Sequence, residues 1–114
     1  MRRDFEPEPH SAREVRMFVG EALQGLANLD DVVLVASELA ANVITHARTE
    51  FTVAIEEMGS TVRLEVSDGS SIMPAVGDLA DSYTGLRVVQ QLSTAWGVEG
   101  RRDGKTVWVE FTTD

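Results

Sequence analysis

Apolar positions along the chain follow two periods, and the change from one to the other marks the elements. Val15, Phe18, Val19, Ala22, Leu23 and Leu26 recur at three and four, which predicts an amphipathic helix from Ser11 to about Leu26. Ser11 and Glu14 have the S-x-x-E spacing of a capping box at its start. Ala36, Ala40, Val43 and Ala47 form a stripe of small residues on a second helix, from about Val32 to Ala47, with Asp30 or Asp31 as its cap. Residues 50 to 57 and 61 to 68 then alternate with a period of two, as strands do. Phe51, Val53 and Ile55 share one face of the first, Val62, Leu64 and Val66 one face of the second, and the short MGS between them suits a hairpin. Continuing the alternation puts Asp68 on the apolar face, where a carboxylate needs a partner.

Residues 69 to 84 show no sustained period and predict a loop with at most one short helical turn, long enough to be functional. Gly85 precedes a third helix, LRVVQQLSTAW, with Leu86, Val89 and Leu92 on one stripe. Two strands close the chain, at about 95 to 100 and 105 to 112, joined by RRDG with Asp103 and Gly104 in the turn. With a short extended start at residues 2 to 6, this order predicts an α+β fold. It is a two-layer α/β sandwich in which helices cover one face of a mixed, mostly antiparallel sheet. A chain of 114 residues fits one domain, 1–114.

Composition narrows the function. Ten Lys plus Arg against nineteen Asp plus Glu give a formal charge of −9, which repels a phosphate backbone, so no direct nucleic-acid partner is expected. The absence of cysteine excludes disulfides and thiolate metal sites. The N-terminal stretch MRRDFEPEPHSAREVR has acids and prolines where a signal peptide needs an apolar run, and no apolar stretch is long enough to span a bilayer. A cytoplasmic protein without a membrane partner is the expectation.

Glu38, Asn42 and His46 stand four apart on the second helix. In isolation this spacing is also that of a solvated helix face. Zinc is a poor match, because no further His or Cys lies nearby and Asn is a weak zinc ligand. Magnesium suits Asn42 better, since it keeps waters, takes few protein oxygens and shares substrate phosphates. Glu38, one turn away, is then placed to orient or deprotonate a nucleophile attacking a phosphoryl group. Asp68 can accept from an exocyclic amine such as that of adenine, or cap backbone amides of the turn SDGSS. Gly85, where a loop enters a helix, can face phosphates with its amide. Gly104-Lys105-Thr106 is not the end of a P-loop: Glu99 stands where that motif needs glycine, and a strand follows.

Taken in order, these residues resemble the GHKL ATPase superfamily, in particular the short anti-sigma-factor serine/threonine kinases of the RsbW and SpoIIAB type. SELAANVITHA is similar to the family's N box, VSDGSS to its adenine-binding box, TGLRVVQQL to its glycine box and GKTVWVEF to its closing strand. The resemblance implies a Bergerat-type ATP-binding fold holding ATP and Mg2+. Glu38 would be the general base, Asn42 the magnesium ligand and Asp68 the reader of the adenine amine. Gly85 and Leu86 would lie beside the phosphates, and His46 would be structural. The partners implied are a sigma factor and an anti-anti-sigma (STAS-domain) protein whose serine is the acceptor, with a homodimer as the possible assembly. Ser70 and Tyr83 stand where the family often has glycine, and Lys105 where the broader superfamily often has threonine. Two functions fit this pattern best, a kinase that also sequesters a sigma factor or a non-catalytic partner-switching adaptor of the same fold with weakened or lost ATP binding; a stand-alone ATPase has less support, since a minimal domain lacks machinery to couple hydrolysis to motion.

Overall fold

The computed structural model describes residues 1–71 and 84–113, the first three residues of the last helix by their backbone only. The elements run β1 (Arg2–Phe5), α1 (Ser11–Ala22), α2 (Leu29–Asn42) with a π-helical turn (Val43–Ala47), β2 (Phe51–Met58), β3 (Thr61–Asp68), α3 (Thr84–Leu92), β4 (Ala95–Arg101) and β5 (Gly104–Thr112). The strands form one sheet in the order β1-β2-β3-β5-β4, antiparallel at every junction, so no parallel pair joins the described strands. The helices cover one face, giving the two-layer α+β sandwich.

The period of two in β2 and β3 translates directly into burial. Phe51, Val53, Ile55, Val62, Leu64 and Val66 face the helices and are buried, as are Val109 and Phe111 of β5. Val15, Val19 and Leu23 of the α1 segment and Val32, Val35, Ala36, Leu39 and Ala40 of α2 complete the core. The small side chains of α2 let its axis sit close to the sheet. Phe5 from β1 stacks on Phe51 with ring centroids 5.5 Å apart and meets Phe18 of α1 edge-on at 6.1 Å.

Local signals were less faithful. His10, not Ser11, occupies the N-cap of α1, and no side chain caps the helix. Ser11 is buried, and Glu14 turns outward to Arg3 of β1 and to His10, each at 3.4 Å, so the capping box does not form. The helix ends at Ala22, four residues short of Leu26, in a turn where Gly25 takes φ 92°. α2 begins earlier than expected, at Leu29, which leaves Asp30 and Asp31 in the first turn, where they favour the helix dipole without capping. Ala95 and Trp96 leave the third helix for β4. In the last hairpin Arg101 pairs with Gly104, so the loop is Arg102 and Asp103 and Gly104 opens β5. Of the expected loop over 69 to 84, residues 72–83 lie outside the described residues, and Thr84 already belongs to α3.

Candidate functional site

Asp68 ends β3 on the helix-facing side and is 4% exposed. Its partner is Lys105, directly opposite on β5 and also buried, with Nζ donating to Asp68 Oδ1 at 3.0 Å. The same oxygen accepts the backbone N–H of Ser70 at 2.8 Å, so the carboxylate also caps its own turn. Strand parity in the sequence places Asp68 on this face, whereas Lys105 was assigned no role. The signal was there: extending the alternation of Val107, Val109 and Phe111 back by one step puts Lys105 on the buried face.

Two further contacts hold this corner. Gly69 donates its N–H to Thr49 Oγ1 at 2.9 Å, tying the turn after Asp68 to the end of the α2 segment. Gly104 lies so close to Asp68 that a Cβ there would overlap the Asp68 carbonyl oxygen. Neither Thr49 nor Gly104 was singled out as a site residue from sequence.

Glu38 and Asn42 lie one turn apart on α2, both half-buried at the border between its core stripe and its outer side. Among the described residues, neither side chain is held by a hydrogen bond or ion pair. Directly after Asn42 the helix widens into a π turn, which carries one more residue than an α turn and rotates the residues beyond it. His46 lies within this π turn and is exposed. The segment stops at Arg48, which takes the left-handed conformation at φ 57° with its N–H on Val43 O. Gly85 and Leu86 fall in the first turn of α3, as backbone; Tyr83 lies outside the described residues.

An open groove of about 520 Å³ runs along the uncovered face of the sheet, where Thr52, Glu65, Ser67, Glu99, Arg101 and Thr106 alternate with the buried positions, and its lining includes Asp68 and Gly69. It does not include Glu38 or Asn42, and two of its polar side chains pair with each other, Ser67 Oγ lying 2.8 Å from Thr106 Oγ1. On this face the Arg63 guanidinium sits between Glu65 at 2.8 Å and Glu110 at 2.9 Å, which raises its pKa through the hydrogen bond to Glu65 first.

A sequence profile of the histidine kinase-like ATPase domain matches residues 5–111, which includes every element that carries these residues. The chain belongs to the histidine kinase-like ATPase domain family. Its fold is that of the GHKL ATPases. The structure of the RsbU and RsbW domains of Rv1364c from Mycobacterium tuberculosis superposes with a TM-score of 0.74 at 20% identity, over 98% of this chain and 32% of that one. The histidine kinase domain of a blue-light activated kinase from Erythrobacter litoralis gives 0.64 at 16% identity, over 90% of this chain and 59% of that one. The catalytic domain of histidine kinase ThkA gives 0.62 at 17% identity, over 99% and 97%. The chain thus spans about a third of the Rv1364c chain it matches. No curated protein sequence matches it significantly.

Domains of this family bind ATP, typically with Mg2+. The donor set fits that pair. Among the described residues no three His, Cys, Asp or Glu gather to cage a metal, whereas one amide oxygen at Asn42 suits magnesium that brings its own waters and phosphate oxygens. The buried Asp68 carboxylate suits the amine of a base. No helix among the described residues is long and apolar enough to cross a membrane.

Proposed function

We propose that this chain is a cytoplasmic ATP-dependent serine/threonine protein kinase and anti-sigma factor, one that binds a sigma factor and phosphorylates an anti-anti-sigma (STAS-domain) partner. What supports the reading most is the pairing on α2: Glu38 and Asn42, one turn apart, half-buried and untied by any side-chain bond among the described residues. Bound Mg-ATP supplies the electrophilic phosphoryl group and the charge that offsets its oxygens. Asn42 would hold the metal by its amide oxygen. Glu38 receives the proton of the acceptor serine as its Oγ bonds to the phosphorus and the bridging oxygen leaves with ADP. Asp68 would take the adenine amine, and Gly85 and Leu86, in the first turn of α3, would contribute beside the phosphates.

Calorimetric titration with ATP, with and without Mg2+, tests the assignment. Binding that depends on Mg2+ and is lost in Asn42→Ala is expected, as is a Glu38→Ala protein that binds ATP normally and transfers no phosphate. An unchanged transfer rate in Glu38→Ala would sink the role given to that carboxylate.

The second reading, a partner-switching adaptor without productive ATP binding, is favoured by one observation: the Asp68 carboxylate already has an ammonium partner inside the protein. It predicts that the chain docks on its protein partner equally well with and without Mg-ATP. Micromolar ATP binding would exclude it.

A further inference from the structure

β5 sends its side chains to opposite faces, and at the Asp68 end the two polar ones part company. Thr106 points to the uncovered face and pairs with Ser67. Lys105 points to the helix side, 8% exposed, and pairs with Asp68. The polar group that β5 contributes beside Asp68 is therefore an ammonium and not a hydroxyl.

A buried ammonium is an expensive way to satisfy one carboxylate, because both ions lose their hydration. It brings something a hydrophobic or hydroxyl side chain lacks: three N–H donors, of which Asp68 takes one. The wall so formed sets a carboxylate acceptor and an ammonium donor 3.0 Å apart. The adenine edge carries the complementary pair on neighbouring atoms, the exocyclic amine as donor and ring N1 as acceptor. Guanine carries them in reverse order, a carbonyl where adenine has its amine and an N–H at N1. The corner is also stiff, since Gly104 abuts the Asp68 carbonyl and Thr49 holds Gly69. Pre-set donors and acceptors discriminate better than mobile ones.

We propose that Lys105 is a specificity-determining residue for the base: with Asp68 accepting from the adenine amine, the Lys105 ammonium donates to ring N1. This rests on the ATP-binding reading above and deepens it, adding a second base-reading group.

The test uses the full chain with ATP and with 1-deaza-ATP, in which N1 is replaced by C–H, against the unaltered protein, Lys105→Met and Asn42→Ala. The unaltered protein is expected to bind the analogue on the order of tenfold more weakly than ATP, as for loss of a hydrogen bond to a charged donor. Lys105→Met is expected to bind ATP more weakly than the unaltered protein and to bind both nucleotides alike. Equal affinity of the unaltered protein for both, with Mg-ATP binding still dependent on Asn42, overturns the role of Lys105 and leaves the ATP site standing. Tighter ATP binding by Lys105→Met also overturns it, making the ion pair an obstruction. No binding of either nucleotide to any of the proteins overturns the ATP site itself, and this inference with it. Because the first comparison needs only the unaltered protein, the proposal is decided even if Lys105→Met folds poorly.

Discussion

Removing one partner of the Asp68–Lys105 pair is the most severe single change the described site predicts for stability. The side chains are 3% and 10% exposed, and the ions lie 3.0 Å apart, so both are largely shielded from water. Lys105→Met keeps the length of the stem and removes the ammonium with its charge and its hydrogen bond to Asp68. Breaking a buried pair in this way leaves an uncompensated ion and typically destabilises by about 3–5 kcal/mol. The Ser70 N–H still reaches Asp68 Oδ1, which places the expected loss near the lower end. Against a total stability of about 5–15 kcal/mol for a domain of ordinary size, that is a large fraction. Asp68→Asn combined with Lys105→Met removes both charges, and replacing a buried pair by neutral groups is often neutral or better. The double variant is therefore expected to be more stable than Lys105→Met alone, with a coupling energy of about 2–3 kcal/mol. Urea unfolding of the nucleotide-free proteins, followed by far-ultraviolet circular dichroism and compared at equal slope, measures each corner of the cycle. A loss below about 1 kcal/mol in Lys105→Met, the range of an exposed pair, would refute the reasoning, as would losses that simply add in the double variant.

Gly104→Ala drives a methyl group into the Asp68 carbonyl, a backbone group that cannot swing aside, so the β3–β5 ladder must move. A destabilisation of about 1–3 kcal/mol is expected from chemical denaturation, together with weakened ATP binding; an unperturbed protein would show that this corner is not tightly held. The Glu6 carboxyl is raised above its ordinary pKa, first by its side-chain hydrogen bond with Glu50 and next by repulsion from that group. A folded carboxyl with a raised pKa binds its proton more tightly than the unfolded chain does, so stability falls as pH rises through the carboxylate range. Glu50→Gln is expected to flatten that decline in thermal melts between acidic and neutral pH, and an unchanged profile would count against the contact.

Much of the sheet was legible because its signal is short-range and repeated. The alternation in 50–57 and 61–68 defines which side chains are buried, and Asp68 obeys the same parity. The helix ends were not legible, because their residues answer to distant partners. Glu14 has the right spacing for a capping box, yet Arg3 of β1 lies within reach and draws it away. The helical stripe through Leu26 is broken by a turn that local propensity does not reveal, since the chain must reverse to pack α1 on α2. The π turn that begins at Val43 was likewise not legible, because nothing in the local pattern VITHA marks the change of period. For Asp68 the burial was readable and the partner was not, because naming Lys105 requires the register between strands far apart in sequence.

That register has a local cause. The loop of the last hairpin is only Arg102 and Asp103, with Arg101 paired to Gly104, so β5 starts at a defined residue. Gly104 is also the residue whose missing Cβ lets β5 approach the end of β3. Side chains alternate from that point: Lys105 enters the helix side and Thr106 the uncovered side. A slip of one residue would exchange them, putting a hydroxyl beside Asp68 and an ammonium on the open face, since strand parity flips every side chain at once. The pairing of Asp68 with Lys105 therefore depends on a two-residue turn and on a glycine. The same slip would turn Val109 and Phe111 out of the core, so the burial that holds β5 in register is also what keeps the cation beside the carboxylate.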